Sequence, residues 1–133
     1  PDLSLEIYAE PFAASGRYFD FGELAAARSS DILVYGTGGS TVVRRDDGSH
    51  LVTDGGQSFT LSNRDFNVRS FRSNVVVRWE WRLGSTLYFV WQQNKSLSQT
   101  HASLVDAASL WESLTTRGDN IFALKVSYWL SVD

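Results

Sequence analysis

The stretch Phe66–Asn94, FNVRSFRSNVVVRWEWRLGSTLYFVWQQN, decides the fold of this chain. Its side chains alternate in character on both sides of a short segment that contains a glycine. One of the two alternating sets is aromatic or aliphatic: Val75, Val77, Trp79, Trp81, Leu87, Phe89 and Trp91. A period of two is typical of a β-strand, because successive side chains point to opposite faces of a sheet. The stretch therefore predicts two long strands, each with one face rich in aromatic residues.

The segment Leu83-Gly84-Ser85 predicts a tight antiparallel hairpin between these strands. A three-residue loop with glycine in the left-handed position is a common hairpin connection. With this loop Trp81 faces Leu87, Trp79 faces Phe89 and Val77 faces Trp91, and a slip by one residue would mix the two faces. The opposite face is more polar and carries Asn74, Val76, Arg78, Glu80, Arg82, Tyr88, Val90 and Gln92.

Two further segments alternate in the same way, near the start and the end of the chain. The sequence therefore predicts an all-β fold, an antiparallel up-and-down meander of about four long strands. These strands are expected near residues 3–10, 66–82, 86–94 and 121–130. We treat residues 1–133 as a single segment in which residues 20–64 and 96–120 are excursions between long strands.

Each excursion is expected to contain a short helix. Asp20 followed by Glu23 resembles a helix start, and the alanine-rich run Glu23–Arg28 predicts a helix. In the second excursion Thr100 is the predicted N-cap, and apolar residues recur at helical spacing: Leu104, Ala107, Ala108, Trp111 and Leu114. Small hairpin strands are expected at residues 32–35, 41–45 and 50–53 of the first excursion.

Composition limits the classes of function. The chain has 133 residues and a net charge of -3, and its basic residues are scattered, which argues against a nucleic-acid partner. It has no cysteine, which excludes disulfides and thiolate metal sites. Because it contains no methionine and starts at Pro1, we expect a processed or excised C-terminal segment of a longer protein.

The lengths of the predicted connections are asymmetric. The turn at residues 83–85 is very short, whereas the connections 20–64 and 96–120 are long. Short turns at one end and long loops at the other are typical of outer-membrane β-barrels, and the strand lengths suit tilted transmembrane strands. About eight strands are needed to close such a barrel, so either the remaining strands lie on an absent part of the chain, or several copies combine, or the strands do not belong to a membrane barrel.

Several stretches of the chain resemble one protein family in order: Leu3–Phe12, Ser15–Tyr18, Leu33–Gly36, Asp65–Ser70, Val77–Leu87 and Lys125–Leu130. They are similar to the C-terminal end of a bacterial outer-membrane family of unknown function. In that family an N-terminal domain similar to carbohydrate-binding family 9 precedes a large β-barrel. The resemblance implies residence in the bacterial outer membrane and, through the N-terminal domain that is absent here, contact with a glycan, and it supplies no catalytic residues.

The two faces of the predicted sheet give two sets of candidate site residues. The lumen-facing or binding candidates are Glu6, Tyr8, Arg78, Glu80, Arg82, Gln92 and Lys125. The lipid- or ligand-facing aromatic residues are Trp79, Trp81, Phe89, Trp91 and Tyr128. In the barrel hypothesis the first set lines a polar interior and the second meets the lipid bilayer. In the alternative, a soluble β-barrel or sandwich, secreted or periplasmic, encloses an apolar ligand or a sugar with its aromatic face.

Catalysis and metal binding find little support in the sequence. Glycoside hydrolysis needs two positioned carboxylates, and no spacing brings a specific pair together. His50 and His101 are isolated, so we expect no metal site and no cofactor. We therefore expect a non-enzymatic protein whose partners are lipid, further barrel strands and a glycan.

Overall fold

The computed structural model describes residues 2–130; Pro1 and residues 131–133 lie outside the description. The fold is mostly β, as predicted. Its elements are β1 (Asp2–Gly16), β2 (Gly22–Leu24), β3 (Ile32–Val34), β4 (Thr41–Arg44), β5 (His50–Asp54), β6 (Gln57–Leu61), β7 (Phe66–Arg82), β8 (Ser85–Gln99), α1 (Ala107–Thr115) and β9 (Gly118–Ser127). Within residues 2–130, no helix is long and apolar enough to cross a membrane.

The described residues divide into two compact units. The long-strand unit comprises residues 2–14, 68–98 and 105–130, and the hairpin unit comprises residues 15–67 and 99–104. The first predicted excursion thus belongs to a unit of its own, and most of the second stays with the long strands.

The four long strands form one sheet in the order β1-β7-β8-β9, which confirms the predicted meander. Within residues 2–130 this sheet is open, with β1 and β9 at its edges. Strand β1 continues beyond the predicted end, through Pro11 to Gly16. Proline is tolerated there because an edge strand leaves N–H positions that pair with no neighbour. Strand β9 ends at Ser127, so Trp129 lies outside the strand in which it was predicted.

The turn between β7 and β8 is shorter than predicted. Leu83 and Gly84 form it, and Ser85 already belongs to β8. Gly84 has a φ of 74°, the left-handed conformation that glycine adopts without a steric cost. A Cβ atom at this position would lie 2.9 Å from the Cβ of Trp129, whose backbone N–H donates to the Ser85 hydroxyl over 3.1 Å. Trp129 therefore packs on the turn itself.

The helix predicted at Glu23–Arg28 is wrong. Gly22–Leu24 is a strand that pairs antiparallel with Ile32–Val34. A Cβ atom at Gly22 would lie 2.5 Å from the Leu33 carbonyl oxygen, so the pairing requires glycine here. Asp20 has a φ of 54°, which is not the extended conformation of an N-cap residue. Strand pairing has overridden the helix propensity of the alanines.

The helix in the second excursion exists, but it begins later than the predicted cap. Asp106, not Thr100, is the N-cap of α1 and accepts from the Ser109 N–H over 2.9 Å. The Ser109 hydroxyl oxygen accepts a hydrogen bond from the Asp106 backbone N–H, which completes a capping box. The hydrogen bond from the Ser109 backbone lowers the pKa of the Asp106 carboxyl, so the capping anion persists below the usual titration range.

The hairpin unit consists of short strands, and the small hairpin strands predicted from the sequence are present in it. β5 pairs antiparallel with both β4 and β6, and Val52 at its centre is fully buried. After this sheet Asp65 accepts from the Tyr18 N–H over 2.9 Å and pairs with Arg44 at 3.4 Å. Asp65 is buried, and these contacts tie the end of the hairpins to the segment that follows β1.

Very little apolar side-chain area is buried. Among residues 2–130, Val52 and Phe71 are the hydrophobic side chains that are classed as buried. A sheet normally buries one face against another layer of structure. In the long-strand unit, apolar side chains of the described strands are exposed, among them Leu3, Leu5, Ile7, Phe122 and Leu124, and the candidate site follows from this.

The Gly84 turn gives a test of this geometry. Replacing Gly84 with Ala should cost about 1–2 kcal/mol for the left-handed backbone, and more for the collision with Trp129. In a Trp129→Gly background, which removes the Cβ atom that lies 2.9 Å away, the second contribution should vanish, so the double mutant should lose less than the sum of the two single changes. Unfolding free energies of the four proteins measure this. Strict additivity would show that Trp129 does not pack on the turn.

Candidate functional site

The long-strand unit carries one face that is almost entirely apolar. β8 and β9 pair so that Phe89 is opposite Leu124 and Trp91 is opposite Phe122. The Phe122 ring stacks on Trp91, with ring centroids 5.8 Å apart, and on Phe89 at 6.3 Å. We call this the apolar face: Leu3, Leu5, Ile7, Val75, Val77, Trp79, Trp81, Leu87, Phe89, Trp91, Phe122, Leu124 and Val126.

The apolar face is uncovered. Phe122 and Leu124 are 62% and 66% exposed, and Leu3, Leu5, Ile7, Trp79 and Val126 are exposed as well. Fully burying one such side chain is worth about 1.5–3 kcal/mol, so this face in water would forgo on the order of ten kcal/mol. Exposed apolar patches of this extent mark a surface that meets a membrane, a partner or a ligand.

The apolar face ends at a row of amides. The Asn120 side-chain oxygen accepts from the Trp91 indole N–H over 3.1 Å and from the Gln93 amide over 2.9 Å. Gln93 in turn accepts from the Ser73 hydroxyl over 3.0 Å. The indole of Trp91 thus has its ring among apolar neighbours and its N–H among polar ones. This is the arrangement of aromatic side chains at an interface between apolar and polar surroundings.

The opposite face carries charged groups that contact one another near the Gly84 turn. Arg78 pairs with Glu80 at 3.5 Å, and its guanidinium lies 5.9 Å from the centre of the Tyr88 ring. Glu80 also accepts from the Gly84 N–H over 3.2 Å. Tyr88 is opposite Lys125 in the pairing of β8 with β9. The structure therefore brings together Arg78, Glu80 and Tyr88, with Lys125 on the neighbouring strand.

The remaining predicted residues have different surroundings. The Tyr128 hydroxyl lies 3.5 Å from Arg82, so this hydroxyl is next to a group of the charged face and not among the aromatic rings. Glu6 is exposed on β1. The Tyr8 hydroxyl donates to Glu10 over 2.6 Å, and this hydrogen bond raises the pKa of the tyrosine.

Tyr8 and Gln92 share a polar groove that the sequence did not predict. The groove has a volume of about 340 Å³ and is lined by Tyr8, Arg72, Ser73, Asn74, Gln92, Gln93 and Asn94. Carboxamides supply both donors and acceptors, and the guanidinium supplies donors only. The alternation of residues 72–78 and 88–94 contained Arg72, Asn74 and Asn94 on the polar face, but nothing local marked them as neighbours of Tyr8.

A buried polar side-chain atom of the hairpin unit has no hydrogen-bond partner. The ring of His50 packs on Phe21 with centroids 4.8 Å apart, and its Nδ1 is buried with no hydrogen-bond partner. Among residues 2–130, no group of three His, Asp or Glu side chains is placed to hold a metal ion. His50 therefore has the surroundings of a packed side chain.

Comparison with known proteins gives one match. The family described as a domain of unknown function, DUF5916, matches residues 40–133, which is more than two thirds of the chain. No curated protein and no solved structure matches the chain. The family match includes β7, β8, α1 and β9, the elements that carry most of both faces. The chain belongs to the DUF5916 family.

Proposed function

We propose that the long-strand unit is a group of neighbouring strands from a non-enzymatic β-barrel of the bacterial outer membrane. The observation that carries this proposal is the uncovered apolar face, which alternates residue by residue with a polar face. Lipid would cover the apolar face, and the polar face would line the interior of the barrel. This alternation with lipid outside is the pattern of transmembrane β-barrels.

The apolar face fits within the apolar band of a bilayer. At about 3.4 Å of rise per residue, the six steps from Val75 to Trp81 span about 20 Å along the strand, or about 14–17 Å of membrane depth at a strand tilt of about 35–45°. The apolar band of an outer-membrane barrel is about 25 Å tall and is flanked by aromatic residues at both interfaces. Trp91 lies at the amide row and Trp81 lies next to the Gly84 turn, so both ends of the band carry tryptophan.

The open edges support the need for further strands. β1 and β9 leave backbone N–H and C=O groups unpaired along one side each within the described sheet. Unpaired backbone groups are not tolerated in lipid, so β1 and β9 would pair with additional barrel strands. A four-stranded sheet cannot close a barrel, for which about eight strands are the minimum.

The polar groove supports contact with a glycan or a similar solute. Its amide groups of Asn74, Gln92 and Asn94 match the paired donors and acceptors of sugar hydroxyls. The resemblance to a family with a carbohydrate-binding family 9-like domain is consistent with such a solute. The same groove also favours the second candidate function, a soluble, secreted or periplasmic module that binds a sugar.

A charge placed on either face of β9 distinguishes the membrane protein from the soluble module. In the full-length protein, Leu124→Arg should destabilise folding into lipid vesicles by about 2–4 kcal/mol, because Arg would face lipid near the middle of the band. Ala123→Arg is the matched control: the adjacent side chain lies on the polar face, opposite Val90, and should be nearly neutral. Folding free energies in vesicles give both numbers.

If the protein is a soluble module, Leu124→Arg should have little effect on its folding free energy. Its side chain is 66% exposed, so an arginine there would be tolerated in water. Equal effects of the two substitutions, together with a protein that stays soluble without detergent, would reject the membrane-barrel proposal.

The groove is tested by sugar binding. Replacing Gln92 or Asn94 with Ala should weaken binding of cellohexaose or maltohexaose about tenfold, since one net hydrogen bond is worth about 1–1.5 kcal/mol. Gln57→Ala, an exposed amide of the hairpin unit, is the control and should leave affinity unchanged. Titration calorimetry on the full-length protein gives the affinities. Unchanged affinity in the Gln92 and Asn94 variants would place the sugar elsewhere, with the barrel proposal unaffected.

A further inference from the structure

Helix α1 has its apolar side chains on the outside. The side chains that it buries are Ser109 and Ser113, which are four residues apart and lie on one face. Trp111 is 72% exposed, and Leu110, Ala107 and Ala108 are exposed as well. A helix on the surface of a protein in water normally buries its apolar stripe and exposes its polar residues. Trp111 is one of the apolar residues whose helical spacing predicted this helix, and it is not buried.

Charged groups fix α1 on the long-strand sheet. Arg69 on β7 pairs with Glu112 near the middle of the helix. Lys95 on β8 donates from its Nζ to the Leu114 carbonyl over 2.7 Å, and the same ammonium lies 5.7 Å from the centre of the Phe71 ring. A cation at the carbonyl end of a helix is favourable because that end carries a partial negative charge. The exposed orientation of Trp111 is therefore set by specific contacts.

These contacts place α1 on the same side of the sheet as the apolar face. Phe89, Trp91, Gln93 and Lys95 alternate along β8, so they share one face. Contacts follow that face without a break, from Phe122 through Trp91 and Asn120 to Gln93 and Ser73. Lys95 is one step further along the same face of β8, about 7 Å beyond Gln93 at the usual strand rise.

We propose that α1 is an interfacial anchor, whose outer side with Trp111 and Leu110 sits in the headgroup region of the membrane directly beyond the apolar band. The inference rests on the proposed function, because the amide row at Asn120 is then the edge of the hydrocarbon. The polar zone of a bilayer leaflet is about 5–8 Å thick, given a core of about 30 Å within a total of about 40–45 Å. The helix is thus at the depth of this zone.

Lipid is the occupant that the geometry favours for this surface. Tryptophan is enriched at membrane interfaces because its ring is apolar and its N–H is polar. Helices that lie in an interface present an apolar face to the acyl boundary. Because α1 is on the apolar side of the sheet, it also stands outside the polar interior, and it does not plug the barrel.

Tryptophan fluorescence in brominated lipids tests the anchor. In the full-length protein, one variant keeps Trp111 as the single tryptophan and another keeps Trp79, with phenylalanine at every other tryptophan of that protein. Trp111 should be quenched most by lipids brominated near the headgroup, and Trp79 by lipids brominated deeper in the chain. Quenching of Trp79 without quenching of Trp111 would overturn the anchor and leave the barrel intact. Absence of quenching at Trp79 would overturn the barrel, and the anchor with it.

A second measurement covers the case in which the multiple replacements prevent folding. The chain contains no cysteine, so a nitroxide can be attached at single sites made by Trp111→Cys, Leu124→Cys and Ala123→Cys. Oxygen partitions into lipid and a polar nickel chelate into water, and electron paramagnetic resonance reports the accessibility of the label to each. The ratio of oxygen to nickel accessibility at residue 111 should lie between the high value at residue 124 and the low value at residue 123. A ratio at residue 111 as low as at residue 123 would overturn the anchor.

Discussion

The pairing of β8 with β9 fixes the rest of the long-strand unit. Because Trp91 is opposite Phe122 and Phe89 is opposite Leu124, all four side chains are on one face, and the intervening residues are on the other. A shift by one residue would bring Lys125 among the aromatic rings and would move the apolar side chains of β9 to the polar face. The stacking of Phe122 between Trp91 and Phe89 selects this register from the alternatives. The separation of apolar and polar surfaces is a consequence of that single pairing.

The amide of Asn120 marks where the character of the same face changes. On one side of it the side chains are aromatic and aliphatic, and on the other side they are Gln93 and Lys95. The Lys95 ammonium donates to the Leu114 carbonyl at the end of α1 and lies over the ring of Phe71. The helix is therefore attached to the polar end of an otherwise apolar surface. This explains how a helix with an outward tryptophan can be held in place without burying an apolar stripe.

The alternation of residues 66–94, together with that of residues 3–10 and 121–130, was sufficient to predict the meander, because a period of two constrains every side chain in a strand. Apolar spacing predicted the helix of the second excursion but not its cap at Asp106, since Thr and Asp are both good N-cap residues and the choice depends on where the chain leaves β8. The strand at Gly22–Leu24 was missed because its pairing with Ile32–Val34, across a connection of seven residues, outweighs alanine propensity. The polar groove was missed for a different reason: Tyr8 and Arg72 meet only through the pairing of strands that are distant in sequence.

The two free edges and the uncovered apolar face of the sheet favour different surroundings. In water, an edge strand is usually blunted by charges or proline, and Pro11 and Lys125 supply one of each to β1 and β9. The apolar face has no comparable protection, so the sheet is better adapted to a surrounding that takes up apolar side chains than to water. In lipid the apolar face has favourable surroundings, but the strand edges are unfavourable, because their unpaired backbone groups have no water to bind. A surrounding that satisfies both is a bilayer with further strands paired to β1 and β9, and this is why the membrane and the missing strands belong to the same proposal.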